Sequence, residues 1–128
     1  MTVTDHGPWP LPDDLTAPAA ARALVRAFLE QTPGATHSIG DEAELVVSEL
    51  VTNAVRHGRP PVALTLEHND GTIRIAVSNA DTGALPVVRN ADDLASGGRG
   101  LAMVDAVSSR LAWAVENARL VVRADLTI

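Results

Sequence analysis

Glu49 and Asn53 are the two residues of this sequence whose types and spacing best suit chemistry. Four residues apart on a predicted helix, they project from one face with their side chains about 5–6 Å apart. A carboxylate can accept a proton from an attacking hydroxyl or water, and an amide oxygen can bind a magnesium ion that keeps waters and phosphate ligands. Such a pair more often belongs to a solvated face, so its neighbours must decide between the two interpretations.

Asn79 is a second polar residue in an unusual place, the end of a predicted strand. It continues the inward phase of Ile73, Ile75 and Val77, so its amide must find a partner or line a pocket. Gly83 follows closely, and glycine allows a tight bend and a close approach of the backbone to a flat ligand. An ordinary hairpin turn is the alternative interpretation.

A glycine run, Gly97-Gly98-Arg99-Gly100, opens a predicted helix. The free backbone N–H groups and the positive end of a helix favour binding of an anion, and the guanidinium group of Arg99 could donate further hydrogen bonds to it. A flexible linker is the alternative. Taken together, the three features predict a pocket with an acid and a metal ligand on one helix, a reader of an adenine edge, and a phosphate site.

Two amphipathic helices must position the first part of this pocket. Thr16 is the predicted cap of the first helix. Asp41 is the predicted cap of the second, with Glu44 three residues later as in a capping box. Gly58, followed by two prolines, should end the second helix.

Strands and a loop must position the rest. Alternating apolar residues predict a hairpin that turns at residues 69–71, and two final strands joined around Asn117. Residues 80–100 lack periodicity and predict a binding loop, which a short helix from about 100 to 109 follows. Residues 1–15, rich in proline and glycine, predict an irregular lead-in strand or tail.

Composition excludes several classes of protein. The chain of 128 residues has room for one domain, and it contains no cysteine, which excludes a disulfide framework, a cysteine-ligated metal and a thiol nucleophile. All ten basic residues are arginine, which removes the lysine of a Walker-type phosphate loop. A net charge of −6 and 2% aromatic residues argue against nucleic acid as a partner.

The N-terminus shows neither a basic start nor an apolar stretch. No window approaches the roughly 18 apolar residues of a membrane span. These features, with the absence of cysteine, predict a cytoplasmic protein without a membrane partner.

The sequence carries two motifs that resemble those of a known superfamily. Residues 44–58, ELVVSELVTNAVRHG, resemble the asparagine box of the histidine-kinase-like ATPase superfamily, and residues 98–101 with Val104 resemble its later glycine box. In its short form the chain is most similar to the anti-sigma-factor serine kinases of high-GC bacteria. The similarity covers nearly all of residues 15–128.

The resemblance implies the fold and the cofactors. It implies an α+β two-layer sandwich, in which a mixed, mostly antiparallel sheet carries about three helices on one face, the Bergerat ATP-binding fold. This single domain would span residues 16–128 and hold ATP and Mg²⁺ beneath a lid at residues 85–97.

The resemblance also implies roles for individual residues. Glu49 matches the general base or hydroxyl-orienting acid, and Asn53 matches the magnesium ligand. Asn79 and Gly83 fall where the family binds the base of ATP. The glycine box that binds the triphosphate is matched by Gly98, Arg99, Gly100 and Leu101.

One position departs from the family pattern. The family usually has aspartate where this chain has Asn79, and Asp81 replaces the usual first glycine of the following turn. The amide oxygen could accept a hydrogen bond from the exocyclic amine of adenine while the amide nitrogen donates to the adjacent ring nitrogen. Asparagine forms such a pair of hydrogen bonds with adenine in protein–DNA complexes. Alternatively Asp81 takes this role, or the site is degenerate.

Two functions of different classes follow as expectations. The first is a serine/threonine protein kinase that binds a sigma factor and phosphorylates an anti-anti-sigma protein. The second is a non-catalytic protein-binding regulator with weak or absent nucleotide binding, which Asn79 favours and the intact pair of Glu49 and Asn53 opposes. A stand-alone ATP hydrolase and a histidine kinase have less support, and a homodimer remains open.

Overall fold

The computed structural model describes residues 3–83 and 99–128, which form five strands and three helices in the order β-α-α-β-β-α-β-β. In chain order these elements are β1 (Val3–Leu11), α1 (Ala17–Glu30), α2 (His37–His57), β2 (Val62–Asn69), β3 (Thr72–Asn79), α3 (Arg99–Val107), β4 (Arg110–Glu116) and β5 (Arg119–Thr127).

The strands form one sheet in the order β1-β2-β3-β5-β4, and every neighbouring pair is antiparallel. The predicted α+β class is confirmed, but the predicted mixed sheet is wrong for the strands that the structure describes. The reason is topological. The crossover through α3 joins β3 to β4, which run in the same direction, and β5 then folds back and inserts between them.

One face of the sheet is apolar, and the helices cover it. The alternating residues predicted to point inward on the first hairpin are all buried, with relative exposures of 0–2%, and residues of all three helices join the same core. These strand residues are Val62, Leu64, Leu66, Ile73, Ile75 and Val77. The alternation of apolar residues along the two strands therefore predicted the buried face of the hairpin correctly.

The N-terminal segment differs from the sequence-based prediction of an irregular lead-in. Val3–Leu11 forms an edge strand that pairs with β2, and its register shifts between His6 and Trp9. An edge strand tolerates prolines because one side of its backbone has no partner strand. Trp9 then packs against the core from this edge.

Both predicted helix caps need correction. The second helix begins at His37 rather than after Asp41, because the Thr36 side chain accepts a hydrogen bond from the Ile39 N–H at 3.3 Å. Ile39 is buried, which holds this extra turn against the core. Thr16 does precede α1, but its hydroxyl bonds the Asp14 carboxylate instead of capping the helix.

Helix α2 lies between the other two helices. On one flank, Arg22 of α1 donates to the Ser48 hydroxyl at 3.0 Å, and Arg26 pairs with Glu44 at 2.7 Å. The opposite flank, which carries Glu49, meets α3. Within the described ranges, no helix combines the length and apolar character needed to cross a membrane.

The two hairpins turn through equivalent two-residue loops. Asp70 and Gly71 have φ values of 51° and 79°, and Asn117 and Ala118 have 51° and 60°. Positive φ at both positions is the mark of a type I′ turn, whose twist suits a hairpin. The second loop position is Gly71 in the first hairpin and Ala118 in the other. Positive φ strains an alanine but not a glycine, so the backbone is strained at Ala118 and not at Gly71.

We expect Ala118→Gly to raise the free energy of unfolding by about 0.5–1 kcal/mol, because glycine adopts positive φ without strain. Gly71→Ala is the matched change. No atom lies within 4 Å of the added Cβ, so only backbone strain acts, and we expect a loss of about 1 kcal/mol. Urea unfolding measures both. If both variants changed the free energy of unfolding in the same direction, the explanation by backbone strain would be contradicted.

Candidate active site

The carboxylate of Glu49 lies directly against Gly100 in the first turn of α3. A Cβ placed on Gly100 would be 3.1 Å from Glu49 Cδ and would overlap Oε2. A side chain at position 100 would force the carboxylate into another rotamer. The positive end of a helix also favours a negative group. The acid of α2 and the start of the glycine-box helix are therefore in contact, as the predicted site requires.

Asn53 lies one turn further along the same flank of α2. Its side chain is half-buried, as is that of Glu49. An amide oxygen beside a carboxylate is a donor set that suits Mg²⁺, which prefers oxygen ligands and completes its shell with water and phosphate. The structure thus keeps the predicted pair together on the side of α2 that faces α3.

Asn79 lies beside the C-terminal end of α2, next to Gly58. It is 5% exposed, and its Oδ1 accepts from the Asp81 N–H at 2.8 Å and from the Arg59 N–H at 3.3 Å. The Ala80 N–H donates to the Arg59 carbonyl at 2.9 Å. A Cβ on Gly58 would lie 2.6 Å from Oδ1, so glycine is required there. We call this arrangement of residues 58–59 and 79–81 the Asn79 clasp.

The clasp bears on the predicted hydrogen bond to adenine. The sequence-based hypothesis used the amide oxygen of Asn79 as an acceptor for the exocyclic amine. An amide oxygen has two lone pairs, and both are taken by backbone N–H groups in the structure. The predicted role of Asn79 in binding the base, and that of Asp81 as its alternative, stay predictions.

The turn that follows the clasp is closed by Asp81, whose Oδ1 accepts from the Gly83 N–H at 3.1 Å. Among the residues that the structure describes, a Cβ on Gly83 would meet nothing closer than this oxygen, at 3.7 Å. The predicted role of Gly83 beside a ligand stays a prediction.

The glycine box is described only from Arg99 onward. Leu101 is 5% exposed and packs in the core, where it anchors α3. Its predicted contact with a cofactor stays a prediction, as does the role of Arg99 at the start of α3. Gly98 and the predicted lid at residues 85–97 lie outside the described residues.

Helix α2 aligns the parts of the site. From Glu49 to Gly58 the helix rises roughly 13–14 Å at 1.5 Å per residue. Glu49 meets α3 at the start of this stretch, Asn53 follows within it, and Gly58 meets Asn79 at its end. A ligand with a phosphate end and a flat end, such as a nucleoside triphosphate, has a comparable length.

A concave region on the face of the sheet away from the helices has a volume of about 520 Å³. Asp125 accepts from Arg74 Nε at 2.8 Å and from its Nη2 at 3.2 Å, which raises the pKa of Arg74. Nearby, Arg123 hydrogen bonds lower the pKa of Glu116. None of the predicted site residues lines this region. Sequence analysis missed it because its residues come from three strands.

Comparisons with known proteins agree with the observed fold. Residues 11–126 match the family model described as "Histidine kinase-like ATPase domain". The structure is similar to the histidine kinase domain of a blue-light activated histidine kinase from Erythrobacter litoralis EL346, with a TM-score of 0.55 and 16% sequence identity. The match covers 88% of this chain but only 63% of that one, and at this identity it shows the fold alone. No curated protein matches the chain.

We expect Gly100→Ala to lower the free energy of unfolding by up to about 1 kcal/mol, because displacing the flexible end of the Glu49 side chain outweighs the helix propensity that alanine adds. Gly40→Ala, in the first turns of α2, is the matched control: nothing lies within 4 Å of its Cβ, so it should stabilise by up to about 1 kcal/mol.

A double-mutant cycle identifies the cause. Glu49→Ala removes the carboxylate, so Gly100→Ala should cost much less in that background. Denaturant unfolding of the four proteins provides the measurement. An equal cost of Gly100→Ala in both backgrounds would show that the alanine disturbs something other than Glu49.

Proposed function

This chain belongs to the histidine kinase-like ATPase family, and from that premise we propose that it is an ATP-binding regulatory protein with serine/threonine protein kinase activity. In this proposal it binds a sigma factor and phosphorylates an anti-anti-sigma protein, as an anti-sigma-factor kinase does. The partners come from the resemblance of the two boxes to those of the short regulatory kinases.

The contact between Glu49 and Gly100 carries the proposal. Phosphoryl transfer needs an acid that orients the attacking hydroxyl close to the place where the triphosphate is held. Glu49 and the first turn of α3 meet at one point, so a γ-phosphate at that turn would lie within reach of the carboxylate.

The residues present suit magnesium and a triphosphate. Asn53 would hold Mg²⁺ through its amide oxygen, and the backbone N–H groups at the start of α3 would hold phosphate oxygens. When bound, ATP supplies the γ-phosphoryl group, and Mg²⁺ offsets its negative charge.

Glu49 then has a defined role in the transfer. Its carboxylate orients a serine or threonine hydroxyl of the partner protein and accepts the proton as the hydroxyl oxygen attacks the γ-phosphorus. The bond between that phosphorus and the β–γ bridging oxygen breaks, and ADP leaves. The half-buried position of Glu49 limits its contact with water, which strengthens its interaction with the hydroxyl.

A second candidate function is a non-catalytic regulator of the same fold. The observation that favours it is the Asn79 clasp, in which the oxygen expected to bind adenine serves the structure instead. Such a protein would keep the surface that binds partners and lose tight ATP binding. Binding and transfer measurements separate the two functions.

We expect Glu49→Gln to lower phosphate transfer to the partner protein by about 10²–10⁴-fold, because glutamine cannot accept the hydroxyl proton. ATP affinity should change by less than about threefold, since the carboxylate serves the hydroxyl rather than the base. Glu42→Gln is the matched control, because Glu42 is half-buried on the same helix, two turns earlier.

Radiolabelled transfer and calorimetric titration of magnesium-ATP measure these effects. Transfer that survives Glu49→Gln, or that falls equally in Glu42→Gln, would contradict the assignment of Glu49. Absence of ATP binding at millimolar concentration would leave the non-catalytic regulator as the function.

We expect Asn53→Ala to reduce the gain in nucleotide affinity that Mg²⁺ provides by about tenfold, since one oxygen ligand is lost. Asn53→Asp keeps an oxygen at this place and should retain the magnesium effect. Titrations with and without EDTA distinguish the metal from the nucleotide. A loss of affinity that is equal with and without Mg²⁺ would assign Asn53 to another task.

A further inference from the structure

The two edges of the sheet differ in how well they resist pairing with another chain. Among the strands that the structure describes, β1 forms one edge and β4 the other. β1 contains Pro8 and Pro10, and its register shifts between His6 and Trp9. Prolines and bulges are features that keep an exposed edge from adding a further strand. The edge at β1 is therefore poorly suited to strand addition.

The edge at β4 has neither feature. Arg110–Glu116 contains no proline, and all seven of its residues pair with β5 without a register shift. Val115 is a large apolar residue, yet it is 51% exposed. A regular edge strand with apolar side chains offers its unpaired backbone groups to another strand. The edge at β4 therefore has the character of an interaction surface.

The sequence of β4, RLAWAVE, is complementary to itself when two copies run antiparallel. With the centre of the pairing at residue 113, opposite charges meet at both ends and apolar residues meet between them. The pairs across the two copies are Arg110 with Glu116, Leu111 with Val115, Ala112 with Ala114, and Trp113 with Trp113 of the second copy.

The faces of the strand agree with this pairing, because directly opposite residues of antiparallel strands lie on the same face of a sheet. Leu111 and Trp113 pair with buried residues of β5, so they lie on the helix side. Arg110 and Glu116 alternate with them and lie on the open side. Trp113 packs only partly against the core, which leaves part of its surface for a second copy.

The charged groups at the two ends of β4 are accessible. Arg110 is exposed and forms no ion pair with any residue that the structure describes. Glu116 accepts hydrogen bonds from Arg123 at 2.7 and 2.6 Å. A carboxylate has about four lone-pair sites, so Glu116 can accept a further donor without losing Arg123.

We propose that β4 is the interface of a homodimer, in which two copies of this chain pair their β4 strands antiparallel about a two-fold axis at Trp113. The sheets of the two copies then form one continuous sheet with β1 at each outer edge. Because the β1 edges resist strand addition, assembly stops at two copies. The pairing does not depend on nucleotide and leaves the roles of Glu49 and Asn53 as they are.

Charge reversal at the ends of β4 tests the pairing. Arg110→Glu places two carboxylates opposite each other at both ends of the interface, and Glu116→Arg places two guanidinium groups there. We expect the unmodified chain to form a dimer at micromolar concentrations, since an interface of one strand per copy is small. Either variant should raise the dissociation constant of the dimer about tenfold, as measured by sedimentation equilibrium.

A mixture of the two variants separates pairing from folding. The Arg110→Glu chain and the Glu116→Arg chain have complementary charges at both ends, so the mixed dimer should bind about tenfold more tightly than either variant binds itself. A defect in folding would not be repaired by mixing. Arg56→Glu is the matched control, because Arg56 is exposed on α2 and its reversal should leave the dissociation constant unchanged.

Disulfide cross-linking tests the register. The chain contains no cysteine, so an introduced thiol reports a single contact. Ala112→Cys mixed with Ala114→Cys should give a disulfide-linked dimer on mild oxidation, because the two positions are directly opposite. Either variant alone should cross-link much more slowly, since its two thiols lie on a diagonal of the ladder.

Three results would overturn the inference. They are an unmodified chain that sediments as a monomer at all micromolar concentrations, a dimer that neither charge reversal weakens, and a mixture of the two charge variants that binds no more tightly than each does alone. None of these results bears on phosphate transfer by Glu49. The proposed function would therefore stand if this inference failed, and the dimer would stand if the chain bound no ATP.

Discussion

The contact between the Glu49 carboxylate and Gly100 is the constraint on which the rest of the site depends. It brings an acid on the second helix to the start of the third, and the carboxylate can keep this position because residue 100 has no side chain. The core beneath, which includes Leu101 and Val104 of α3, holds that helix in place. The same packing that stabilises the fold thus sets where a carboxylate and helix N–H groups can act together.

The Asn79 clasp is a second constraint of the same kind. It joins the end of α2 to the end of β3, with Gly58 as the residue that lets the amide approach. The amide oxygen of Asn79 thereby holds these two segments of the chain together.

The sequence was sufficient for the local part of this structure. The alternation of apolar residues in the strands predicted that Val62, Leu64 and Ile75 lie on the buried face. The spacing of four residues predicted that Glu49 and Asn53 lie on one flank of α2. These predictions depend on interactions between residues that are close along the chain. The helix start at His37 was missed because the Thr36 cap and a buried Ile39 outweighed the signal at residue 41.

Contacts between distant segments were decided by tertiary structure. The pairing of β3 with β5, the use of Val3–Leu11 as an edge strand, and the meeting of Glu49 with Gly100 each join segments that local pattern treats as independent. The direction of the Asn79 amide is of the same kind, since one of its partners lies 20 residues away. Sequence determined which groups were available and on which face of an element each lay. Only the packing of the elements decided which groups meet, because that depends on the shape of the whole core.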